Sequence, residues 1–234
     1  MFIKRYINDY NQFARNEKIF FFKIFCMFKY RKKIDEKIAS KVVKYLVTTS
    51  ITPNQVTTFS LLLAAFAAVF FSFGIYFFSV IGSLLFIFSK LLDHVDGQLA
   101  RELKKESKFG WYYDSFVDTA TYILMFVGIS AGIPPGTFEI KFFSIINLDL
   151  QNYLLFSAII ASILNTFLGI IHKYKTSKDF YGFPETKKVA LEDGIYLIGP
   201  ITWIGFINFF FLIASIGSVV FVIYNIKRFV RSIK

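Results

Sequence analysis

The chain has 234 residues, 55% of them hydrophobic and 20% aromatic, with 32 Phe and a formal net charge of +11. This is too apolar for one soluble domain, which must cover its surface with polar groups, so the chain reads as membrane-embedded. A single cysteine, Cys26, excludes an intramolecular disulfide framework and a cysteine metal site, and His94 and His172 are too far apart in sequence to read as a ligand pair.

The first fifty residues hold two Lys-rich stretches. "KIFFFKIFCMFKYRKK" has an apolar part only about half a span long. "KIDEKIASKVVKYLV" sets Ile34, Ile38, Val42 and Leu46 at helical spacing, with Lys37, Lys41 and Lys44 elsewhere. Both predict amphipathic helices on the inner leaflet, so residues 1–50 are expected to be an N-terminal interfacial segment. Lys23 interrupts the apolar run and no small-residue cleavage site follows, which argues against a secretory signal. Pro53 suits the first turn of a new helix, and Ser50 or Thr52 can cap it.

Residues 51–230 then hold apolar segments at 56–78, 79–100, 110–133, 152–172, 192–206 and 208–226. Measured against the roughly 20 residues that cross the hydrocarbon, they predict an all-α integral membrane protein, a bundle of six transmembrane helices. The fifth segment is short and broken by Gly199 and Pro200, and "FIN" at 206–208 is the expected turn into the sixth. Before residue 53 there are twelve Lys and Arg against four acids. The links at 101–109 and 172–188 and the C-terminal "KRFVRSIK" are also basic, whereas the 132–152 link has only Lys141. The positive-inside rule therefore puts both termini and the basic links in the cytoplasm. No nucleic-acid module is present, and charge spread along a membrane face points to lipid or an anionic substrate.

The end of the second segment is unusual. Asp93, Asp96, Gly97, Ala100 and Arg101 share one helical face, and Gly110, Asp114 and Asp118 share a face of the next helix. Asp93 lies about 20 Å along its helix from Ser79, near the cytoplasmic end. A carboxylate within a span costs about 2.5–3.5 kcal/mol, so four need compensation. Two divalent cations would supply it, and carboxylate oxygens suit Mg²⁺ or Mn²⁺. Such a pair is a standard clamp for displacement at phosphorus. Gly97, Ala100 and Gly110 leave room for a ligand, and Arg101 offers a fork for phosphate. Lys90, one turn before Asp93, reads as snorkelling or pairing with that acid. A cation channel or carrier is the alternative, although it would place acids at the midplane or on several spans.

The pattern D-x2-D-G-x2-A-R-x8-G-x3-D-x3-D over Asp93–Asp118 resembles the signature of the CDP-alcohol phosphotransferases at every fixed position. "TPNQVT" at 52–57 is similar to that family's entry to its core, and the resemblance extends over about residues 34–228. It implies a homodimeric six-span transferase of substituted phosphate groups in a prokaryotic cytoplasmic membrane, with its site facing the cytoplasm. Such an enzyme moves the phospho-alcohol part of a CDP-alcohol, here expected to be CDP-diacylglycerol, to an acceptor hydroxyl in phospholipid biosynthesis and releases CMP. Carried over residue by residue, Asp93, Asp96, Asp114 and Asp118 are expected to bind the Mg²⁺ or Mn²⁺ pair, and Asp118 to act as base. Asn54, Thr57, Gly97, Ala100, Arg101, Ser107 and Gly110 are the expected nucleotide and CDP-alcohol contacts.

"ESKFG" at 106–110 and the stretch before residue 54 are similar to the inositol-phosphate branch, the di-myo-inositol-phosphate phosphate synthases, which makes a CDP-inositol-using enzyme the second expectation. Two departures leave a phosphorylated acceptor open. Thr119 and Tyr122 stand where a basic residue is usual after the last Asp, and "ALEDGIYLIG" lacks an Arg. Lys173, Lys175, Lys187 and Lys188 are the candidates for an acceptor-anion site, and an ordinary basic inner loop is the plainer reading of each.

Overall fold

A computed structural model describes residues 37–142, 146–176 and 195–233. Helix α1 (37–46) leads into α2 (Pro53–Ser72), α3 (Tyr76–Glu102) and α4 (Lys108–Gly132). An antiparallel hairpin of β1 (Glu139–Phe142) and β2 (Ile146–Asp149) follows, with Glu139 opposite Asp149. Helices α5 (Leu150–Thr176), α6 (Ile198–Trp203) and α7 (Ile207–Ile233) complete the described chain. The described residues are thus helical apart from one short hairpin, and α2, α3, α4, α5 and α7 are long and apolar enough to cross a membrane.

Helix α2 starts where Pro53 predicts, with Thr52 as its N-cap, and the Gln55 side chain accepts the Thr52 N–H at 2.9 Å. It ends earlier than the expected 56–78 span. The break falls at Phe73–Ile75, where Gly74 adopts φ +65°, and α3 begins at Tyr76 instead of residue 79. Only glycine takes that conformation freely, and here it also lies against the backbone of Gly132. Of the expected 192–206 span, the described part is a short turn and α6. Gly199 and Pro200 stand in the first turn of α6, where the missing proline N–H costs nothing, and the break comes at Gly205, φ +83°.

Helix α2 is the spine, packed along both α3 and α4, while α3 and α4 touch each other little. Close approach depends on small residues: a Cβ at Gly128 would lie 2.6 Å from the Cα of Ala68, so α2 and α4 meet backbone to backbone. Phe71, Phe86, Met125, Ile129 and Phe211 fill the half of the bundle nearer the hairpin. At the other end Ala39 and Val43 of α1 pack on Val56, Val95 and Leu99. The side of α1 turned to the bundle is centred on Ala39 and Val43, with Val42 and Leu46 packed beside them, while Ile38 is 40% exposed and Lys37, Lys41 and Lys44 are exposed. Polar pairs join the remaining helices: Thr119 with Thr166 between α4 and α5, and Asn225 with Asn165 between α7 and α5, each at 2.5 Å.

Candidate active site

The four acids stand at the α1 end of the bundle, on the last third of α3 and the first half of α4. The link between these helices is tight. The Lys105 N–H reaches back to the Ala100 carbonyl at 2.9 Å and the Lys104 N–H to that of Arg101 at 3.1 Å, with Lys104 at φ 52°. Ser107 then caps α4, its hydroxyl accepting the Gly110 N–H at 3.0 Å.

Asp96 is 4% exposed, and Thr57 of α2 donates its hydroxyl to Asp96 Oδ2 at 2.5 Å. The Pro53 carbonyl lies 3.1 Å from the same hydroxyl, but the closer, charged acceptor takes its one proton. Lys90 Nζ bonds Asp93 Oδ2 at 3.1 Å and pairs with Asp118 across the α3–α4 gap, 5.1 Å from the centroid of the Tyr122 ring. Asp114 has no hydrogen-bond partner among the described residues, and Asp93, Asp96 and Asp118 all repel it electrostatically. The four acids thus share one electrostatic neighbourhood. Their all-carboxylate oxygens are a donor set that hard divalent cations take. Among the described residues, no three His, Cys, Asp or Glu side chains surround one point. Three of the acids instead have partners of their own: Lys90 engages Asp93 and Asp118, and Thr57 engages Asp96.

The other expected contacts collect around this centre. The exposed Arg101 guanidinium lies over Gly97, its nitrogens 3.7 and 3.9 Å from where a Cβ would stand. Asn54 Oδ1 and Ser107 Oγ come within 3.4 and 3.1 Å of the equivalent point at Gly110, which joins the starts of α2 and α4. Thr58 and Tyr113 hydroxyls meet at 2.8 Å beside them. Ala100 is half-buried, one turn from Gly97 on the same helix. Of the lysines read as an anion site, Lys173 stacks its ammonium 3.8 Å from the centroid of the Trp111 ring, and Lys175 is exposed in the last turn of α5. Lys187 and Lys188 lie outside the described residues, as does Cys26. Beside the acids, α4 turns Phe109, Tyr112 and Phe116 outward as an uncovered aromatic stripe. The expected Lys90–Asp93 pairing is present at i, i+3, whereas the Lys90–Asp118 pair and the Trp111–Lys173 stack, both between helices, have no signal in the sequence spacing.

Helices long and apolar enough to cross a membrane thus carry four acids at one end, with hydroxyl, amide and guanidinium groups beside them. The model of the CDP-alcohol phosphatidyltransferase family matches residues 50–223, and the chain belongs to that family. It is 27% identical over 181 residues to an archaetidylinositol phosphate synthase of Pyrococcus horikoshii, covering 77% of this chain and 92% of that protein. A bifunctional IPC transferase and DIPP synthase of Archaeoglobus fulgidus is 36% identical over 122 residues, which is 52% of this chain but only 24% of that longer protein. The crystal structure of Mycobacterium tuberculosis phosphatidylinositol phosphate synthase with CDP-DAG bound superposes with a TM-score of 0.60 at 18% identity, covering 82% of this chain and 94% of that one. The same enzyme has been solved with manganese and citrate. At that identity the likeness is one of fold.

Proposed function

We propose that the chain is a membrane phosphotransferase that moves the phosphatidyl group of CDP-diacylglycerol to the hydroxyl of an inositol-phosphate-type acceptor. The gathering of the acid motif and its neighbours at one end of the bundle carries this reading. The acceptor oxygen attacks the phosphorus bearing the diacylglycerol, the bond from that phosphorus to the bridging oxygen breaks, and CMP leaves. Asp118, whose side chain is 42% exposed, takes the hydroxyl proton. Arg101, Ser107, Asn54 and the small faces of Gly97, Ala100 and Gly110 receive the diphosphate and nucleotide. Asp93, Asp96, Asp114 and Asp118 would hold Mg²⁺ or Mn²⁺, two ions if all four contribute, and the ions would neutralise the diphosphate and the departing CMP.

The name of the Pyrococcus relative, nearly all of whose length is covered, supports the acceptor class. The Archaeoglobus relative supports a second reading, transfer from CDP-inositol. A sixth span over 192–206, a prokaryotic cytoplasmic membrane with the acids facing the cytoplasm, and a homodimer belong to the same proposal. The bunching of Lys104, Lys105, Lys108, Lys173, Lys175, Lys227 and Arg228 near the acid end supports the orientation. Tyr153, Phe156, Ile160 and Phe167 of α5 are uncovered and available to lipid or a second copy.

The test is CMP release and product mass from purified protein given CDP-diacylglycerol or CDP-inositol with inositol phosphate, inositol, glycerol phosphate or serine. Phosphatidylinositol phosphate is the expected product, its formation dependent on Mg²⁺ or Mn²⁺ and lowered about 10²–10⁴-fold in Asp93→Asn and Asp118→Asn. Undiminished release from Asp93→Asn would sink the catalytic assignment.

A further inference from the structure

The acidic centre already contains a cation belonging to the chain. Lys90 is 5% exposed, in the interior of a membrane-length helix. Its ammonium bonds Asp93 one turn further on, pairs with Asp118 of α4, and sits near the Tyr122 ring. Burying an ammonium in apolar surroundings is expensive unless it is paired and hydrogen-bonded. Here two carboxylates and an aromatic face compensate it. The pairing also spans a gap, because α3 and α4 touch little and are held side by side mainly by α2. Lys90 is thus a direct tie between the two acid-bearing helices.

We infer that Lys90 is a positioning residue that competes with divalent cations for Asp93 and Asp118. It ties α3 to α4 in the ion-free protein and lowers the affinity of the centre for a metal. This rests on the metal reading given above. The competition follows from charge and space. Four carboxylates with one ammonium among them attract a divalent ion less than the same four alone. An oxygen bonded to the ammonium at 3.1 Å is also less available to a metal. Asp96 and His94 of α3 and Asp114 of α4 also face this pair electrostatically, and the His94 ring is anchored on the Lys90 carbonyl at 3.0 Å.

The test is Mn²⁺ binding, read by electron paramagnetic resonance, and thermal stability of the full chain in EDTA and in saturating Mn²⁺, with no substrate present. In Lys90→Met and Lys90→Gln, Mn²⁺ is expected to bind about tenfold more tightly or better. Their melting temperatures should fall by several degrees in EDTA and recover in Mn²⁺. Lys90→Arg, which keeps the charge, should stay close to the parent in both measurements. A Lys90→Met protein recoverable only in Mn²⁺ supports the inference, and one recoverable in neither condition overturns it. Unchanged or weaker Mn²⁺ affinity in the neutral variants overturns the Lys90 role and leaves the metal reading intact. Absence of Mn²⁺ binding in parent and variants alike overturns both.

Discussion

Thr57 illustrates how one hydroxyl can be assigned two different jobs. Its place in "TPNQVT" implies a nucleotide contact, whereas its bond to the buried Asp96 implies control over an acid. The two roles separate kinetically. A lost nucleotide contact raises the donor KM, and a misdirected Asp96 lowers kcat. A hydrogen bond to a charged group is worth about 1.5–3 kcal/mol, so Thr57→Val is expected to lower kcat roughly 10- to 100-fold with little change in donor KM. Thr57→Ser, which retains the hydroxyl, should keep most of the rate. Steady-state CMP release over a donor series makes the measurement. The acids themselves were legible in the sequence because a three- and four-residue spacing forces Asp93, Asp96 and Arg101 onto one face whatever the helix packs against. The bond between Thr57 and Asp96 was not legible, since it depends on how α2 lies along α3. The same holds for the second partner of Lys90: Asp93 is on its own helix, but Asp118 reaches it only through the α3–α4 placement.

Elements follow the same division. Long apolar runs disclosed the five membrane-length helices among the described residues, and Pro53 with Thr52 disclosed where the first begins. Their ends were harder to read, because an apolar run continues through Gly74 while the backbone does not. The hairpin at 139–149 falls inside the 132–152 link, and although "EIKF" and "INLD" both alternate polar and apolar, four residues each is too short a run to announce a strand. What hides most completely in sequence is the role of small residues at crossings. Gly128 looks like a tolerated helix glycine, yet it is where α2 and α4 touch through backbone atoms. Gly128→Ala is expected to force the helices apart at a cost of about 3 kcal/mol. The checking measurement is a thermal transition in detergent, lowered by several degrees. CMP release per folded molecule should change little, because the substitution lies about 15 Å along α4 from Asp118.

On the scale of the whole molecule, the bundle is polarised. The acids, the amphipathic α1 and most of the described basic residues share one end, and the hairpin marks the other. If the basic end faces the cytoplasm, single cysteines report it in a chain carrying Cys26→Ser. Thr137→Cys, exposed beside the hairpin, should react with a membrane-impermeant maleimide in intact cells. Lys105→Cys in the α3–α4 link should react only after permeabilisation, and the opposite pattern would reverse the orientation.

The aromatic stripe of Phe109, Tyr112 and Phe116 has a kinetic meaning once the acids beside it are understood as a reaction centre. If the proposed CDP-diacylglycerol is the donor, the stripe would give its two acyl chains a surface to rest on within one helix of the acids. Such a donor would arrive by lateral diffusion and need not be extracted into water. Its working concentration would be a mole fraction in the bilayer, so diluting it with inert lipid at a constant bulk amount is expected to slow CMP release.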